Sequence, residues 1–156
     1  MMSKNSSILL QLGLSLLVGT AAANAEPIGR WFYGYGQGVL EYGIKNDSAG
    51  GDYFSIWCDY KGAGAWFIVS RKDPLPLSSV FVVINDDQFE IPVREDHYFH
   101  TDSHVEYSIF RSLWEAIRTN NGVMHVRLSS GETTTFPLKG AAKALPKEPC
   151  ETAFEK

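Results

Sequence analysis

The chain has 156 residues, 13% aromatic and 21% charged, which is enough apolar material for one ordinary domain with a real core. With 14 basic against 18 acidic side chains its formal net charge is −4, which argues against nucleic acid or an anionic lipid surface as partner.

Residues 1–25 read as a cleavable signal peptide. Lys4 gives a single early positive charge, an apolar run extends from Ile8 to Val18, and small residues end in Ala23-Asn24-Ala25. The alternative is an uncleaved anchor. However, Gln11, Gly13, Ser15, Gly19 and Thr20 interrupt the run, which falls short of the roughly 20 mostly apolar residues a spanning helix needs. No later segment is apolar enough to cross a bilayer. The expectation is therefore a single β-rich domain over 26–150, a flexible tail over 151–156, a periplasmic or secreted location, and no stable membrane insertion after cleavage.

Within the domain, Trp31-Phe32-Tyr33-Gly34-Tyr35 interleaves aromatics with glycine. Exposed Trp31, Tyr33 and Tyr35 would favour contacts with protein or carbohydrate; alternatively the segment is an edge strand whose aromatics pack inward. Val39–Lys45 predicts a strand, and 46–52 a loop. Tyr53–Asp59 is a strand by period two, with Phe54, Ile56 and Cys58 on one face and Tyr53, Ser55 and Trp57 on the other. The turn at 61–64 and Ala65–Ser70 complete a hairpin. Asp73-Pro74-Leu75-Pro76 breaks the pattern. Val80–Ile84 is an unbroken apolar run, as for a strand covered on both faces. Asn85–Gln88 turns the chain into Phe89–Arg94, where Pro92 marks an edge or a bulge.

A helix is predicted over about 103–120. Ser103 and Glu106 form an S-x-x-E capping box, Val105, Ile109, Leu113 and Ile117 recur every four residues, and Phe110 and Trp114 widen the stripe. Asn120-Asn121-Gly122 ends it, with Gly122 able to take a left-handed conformation. Val123–Leu128 and Thr133–Leu138 predict a second hairpin around Ser129–Glu132. Gly140–Leu145 predicts one helical turn, stopped by Pro146. The helix thus falls between the fifth and sixth main strands, resting on the Val80–Ile84 strand. The fold class is mainly β, an antiparallel sandwich or curved sheet with one amphipathic helix and a short C-terminal helical turn.

Cys58 and Cys150 are the two cysteines. In an oxidising compartment they predict a disulfide. The rival readings, a catalytic thiol or a metal pair, lack a C-x-x-C motif or a histidine near either cysteine.

The motifs Phe110-Arg111-Ser112-Leu113, Gly122–Val126, Thr134-Thr135-Phe136-Pro137-Leu138-Lys139-Gly140, Ala144-Leu145 and Cys150, with Ile56-Trp57-Cys58 upstream, resemble two groups. These are the small Gram-negative periplasmic proteins of the invasion-associated locus B family and the VasI-like accessory proteins of type VI secretion. The resemblance spans about Tyr53 to Cys150 and implies a β-rich periplasmic fold. It transfers no catalytic residue, and the invasion-type proteins usually carry more cysteines than this chain.

For chemistry, Asp96–His104 offers His97, His100, Asp102 and His104, residue types that suit zinc or copper. The plainer reading is a polar loop whose Asp102 or Ser103 caps the helix. No G-x-S-x-G elbow, phosphate loop or dinucleotide fingerprint occurs, and no pattern selects a carboxylate pair for glycoside hydrolysis. Ser129-Ser130-Gly131 reads as a turn. The sequence therefore predicts a non-catalytic periplasmic binding protein without a cofactor, acting through protein–protein contacts. It would serve as an accessory or immunity protein whose partner is a periplasmic toxin or cell-wall enzyme. Candidate contact residues are Trp31, Tyr33, Tyr35, His97, His100, Ser129 and Ser130. The alternatives are a metal-binding or hydrolytic enzyme using the His97–His104 loop, and an envelope-associated invasion or virulence factor.

Overall fold

The computed structural model describes residues 28–36, 39–47, 51–59, 65–70, 79–94 and 99–150. The expected signal peptide, the turn at 61–64, the Pro-rich break at 73–76, His97 and the tail at 151–156 lie outside these residues.

Two four-stranded antiparallel sheets build the domain. The first is a meander of β1 (Phe32–Gly36), β2 (Val39–Lys45), β3 (Tyr53–Asp59) and β4 (Ala65–Ser70), paired in chain order. The second contains β5 (Ser79–Ile84), β6 (Asp87–Pro92), β7 (Val123–Leu128) and β8 (Thr133–Pro137), in the order β6-β5-β7-β8. Helix α1 (His104–Thr119) carries the chain over β5, and α2 (Ala141–Ala144) is a single turn after β8. The fold is thus mainly β, as the alternation predicts. Because the aromatic–glycine segment is itself strand β1, α1 falls between β6 and β7.

In the first sheet, Tyr42, Ile44, Phe54, Ile56 and Cys58 face the core, as period two requires. In the second, Val80, Val82 and Ile84 of β5, Met124, Val126 and Leu128 of β7, and Phe136 of β8 do the same. Both sets and the buried face of α1 form one apolar cluster. Phe54 meets Phe136 at 6.0 Å between ring centroids, and Tyr42 meets Trp114 edge-on at 5.2 Å. Polar ties join the sheets at β8. Trp31 Nε1 donates to the Pro137 carbonyl at 2.8 Å, and Asn46 Nδ2 donates to Thr134 Oγ1 at 2.8 Å. Cys58 and Cys150 are joined in a disulfide, which fastens β3 to the segment beyond α2.

Three local expectations are corrected. Strand β5 is buried on one face only: Val80, Val82 and Ile84 are covered, whereas Phe81 and Val83 are half-exposed. Its outer apolar residues are screened instead by neighbours on β7. Arg127 stands opposite Phe81 with its guanidinium 5.2 Å from the ring centroid. Val105 is 70% exposed, outside the helix stripe, because it lies in the first turn beyond the reach of the core. The buried stripe is Phe110, Leu113, Trp114, Ala116 and Ile117. Gly122 is not left-handed. The helix stops at Asn120, whose backbone N–H and side-chain Nδ2 both donate to the Ala116 carbonyl, so no left-handed residue is needed to satisfy it.

The capping box forms with a variation. Ser103 Oγ accepts from the Glu106 N–H at 3.2 Å. Glu106 Oε2 accepts from Ser103 Oγ at 3.0 Å and from the Asp102 N–H at 3.0 Å. Asn85 takes φ 54° in the tight turn between β5 and β6, a conformation asparagine tolerates. Pro92 lies on the edge strand β6, as expected.

Candidate functional site

Strand β1 is an edge: among the described residues it is hydrogen-bonded only to β2. Its sequence explains its two faces. Register places Tyr33 opposite Tyr42 and Tyr35 opposite Leu40, while Phe32 stands opposite Gly43 and Gly34 opposite Glu41. Tyr33 and Tyr35 thus share the inner side of the sheet, but at an edge the core does not cover, and each is 67% exposed. Burial, and Tyr33 beside it, push the Tyr42 phenol above its ordinary pKa, so this hydroxyl stays neutral at physiological pH. Trp31, just before the strand, is buried against Phe54. Of the three aromatic candidates, two are displayed and one holds the sheets together.

The opposite face of the same sheet carries a feature the sequence did not disclose. Glu41 Oε1 accepts three hydrogen bonds from β3: from Ser55 Oγ at 2.7 Å, Trp57 Nε1 at 2.8 Å and Tyr53 Oη at 3.3 Å. The only advance signal was the row Tyr53, Ser55, Trp57, whose side chains can all donate. Sequence did not say which strand would stand beside it.

Of the histidine loop, His97 lies outside the described residues. His100 is half-buried and His104 is exposed at the start of α1. Asp102 is ion-paired with Arg94, which also donates to Glu106 Oε1 at 2.9 Å. Burial alone pushes the Glu106 carboxyl up, but the hydrogen bonds from Arg94 and Ser103 and the Arg94 charge outweigh it, so its pKa lies below the ordinary value. Among the described residues no group of three His, Cys, Asp or Glu side chains is placed to hold a metal ion. Ser129 and Ser130 are exposed in the β7–β8 turn. There Gly131 takes φ 90° and Ser130 Oγ donates to Glu132 at 3.3 Å. A polar groove of about 600 Å³ lies between α1 and β6, lined by Asp87, Gln88, Arg111, Glu115 and Asn120 among others. Among the described residues no helix is long and apolar enough to cross a membrane.

The family model described as YfjT matches residues 29–145. No curated protein and no solved structure matches the chain.

Proposed function

The chain belongs to the YfjT family, and we propose that it is a non-catalytic periplasmic binding protein that presents strand β1 to a partner protein. One observation carries the reading: Tyr33 and Tyr35, each 67% exposed, stand together on a sheet edge that no other described strand pairs. An unpaired strand edge accepts a strand from another chain through main-chain hydrogen bonds, while alternate side chains provide selectivity. Tyrosine is well suited to the second task, because it gives a large contact at the cost of few rotatable bonds. A domain tied by the Cys58–Cys150 disulfide presents that edge in one fixed shape, which lowers the cost of binding. The disulfide also suits an oxidising compartment, in keeping with export through residues 1–25. The partner proposed is a periplasmic toxin or cell-wall enzyme, with the chain acting as its accessory or immunity protein.

The test is site-specific photo-crosslinking in intact cells. A photoreactive residue at position 33 or 35 should give one discrete heteromeric adduct, and one at the exposed Thr133 of the other sheet should give none. The Tyr33→Ala/Tyr35→Ala variant should keep its melting temperature and lose that partner. Equal adducts from all three positions, or none from β1, would refute the proposal.

A further inference from the structure

The outer face of the first sheet holds a second site, on the side of β1 opposite Tyr33 and Tyr35. Three donors converge on one oxygen of Glu41. They fix the carboxylate plane and leave Oε2 without a protein partner among the described residues. No described lysine or arginine pairs with it. Aromatic residues share this face of the sheet. Trp57 stands opposite Glu41 in register, and Phe32 packs over Gly43 and against Tyr53, with ring centroids 5.8 Å apart.

Two glycines on this face differ in a telling way. A Cβ at Gly43 would lie 2.6 Å from the Phe32 ring, so Gly43 is required by the packing of Phe32. A Cβ at Gly34, the register partner of Glu41, would meet nothing within 4 Å among the described residues. Its φ is not positive, so among the described residues neither backbone conformation nor packing asks for glycine there. A strand glycine costs about 0.5–1 kcal/mol against alanine, and a bulge, a tight bend or the close approach of a ligand or another backbone are the usual reasons for one. Among the described residues the gap at Gly34 leaves the flank of Glu41 open.

We propose that the Gly34–Glu41 slot binds an ammonium or guanidinium group. Oε2 would accept the N–H donors of the cation. An anion is disfavoured by the carboxylate. A neutral ligand would leave the carboxylate without a counter-charge.

The experiment titrates capped arginine amide and capped lysine amide into protein labelled with 15N at tryptophan, following the indole N–H resonances. The Trp57 resonance should shift saturably, while those of the buried Trp31 and Trp114 should not; capped glutamate amide should have no effect. Glu41→Gln keeps an oxygen for the three donors and should weaken binding at least tenfold. Gly34→Val fills the gap without touching Glu41 and should do the same. An extended arginine-containing peptide that binds tenfold tighter than the single amino acid would assign the group to a protein partner; equal affinity would assign it to a free cation. Absence of a saturable Trp57 shift, or unchanged isotherms in both variants, would overturn the proposal. Because Tyr33 and Tyr35 lie on the other face, this site and the tyrosine edge stand or fall separately.

Discussion

Opening the disulfide should cost the domain a large part of its stability. Cys58 and Cys150 are 92 residues apart in sequence, so the bond closes most of the chain into one loop. Loop-closure entropy for that separation amounts to about 4.6 kcal/mol at room temperature. A domain of this size has a net stability of roughly 5–15 kcal/mol, so the Cys58→Ala/Cys150→Ala variant should be folded but marginal. With a urea m-value of about 1.5 kcal/mol/M, the midpoint should fall by about 3 M. The m-value should also rise, because the opened unfolded chain exposes more surface. Equilibrium unfolding followed by tryptophan fluorescence and by far-UV circular dichroism reads both quantities. A midpoint shift under about 0.7 M, equivalent to about 1 kcal/mol at that m-value, would refute the loop-entropy reasoning.

Trp114→Ala should destabilise by about 3–5 kcal/mol in urea unfolding, since the indole is buried between Tyr42 and Phe110 and donates to the Pro146 carbonyl. Asn46→Ala should cost about 1–3 kcal/mol in the same assay, because it removes the donor that links Thr134 Oγ1 and the Thr135 carbonyl to the first sheet. Acid unfolding should carry the mark of Glu106. Its pKa is lowered in the folded state, so its contribution is complete above the unfolded-state value and is lost as pH falls through the lower folded one. Glu106→Gln should therefore flatten the acid limb of the stability–pH curve below about pH 4.5, the ordinary value, and leave the neutral region parallel to wild type; an unchanged acid limb would contradict the assignment.

Much of this architecture was legible because burial leaves a periodic trace. Phe54, Ile56 and Cys58 alternate with Tyr53, Ser55 and Trp57, and the strand follows. Ser103 and Glu106 announced the helix start to the residue. The trace failed where an outward position is apolar for its own reasons. Phe81 is covered by Arg127, a residue on another strand, so the run at β5 looked two-sided. At β1 the chain forms the edge strand that the sequence allows, although glycines at alternate positions erase the hydrophobic signal that marks a strand face. The exposed tyrosines were legible as residues, although Trp31 beside them is a core residue. Glu41 was not legible at all, since its three donors come from β3 and only strand pairing brings them to it.

The ties between Trp31 and Pro137 and between Asn46 and Thr134 span 106 and 88 residues of sequence. As the polypeptide emerges N-terminus first, Trp31, Asn46 and Phe54 of the first sheet therefore lack their partners Pro137, Thr134 and Phe136 until the last hairpin has followed. Folding is gated by the arrival of β8, a high-contact-order step that is intrinsically slow. Throughout that wait the nascent sheet is a target for chaperones and a nucleus for aggregation.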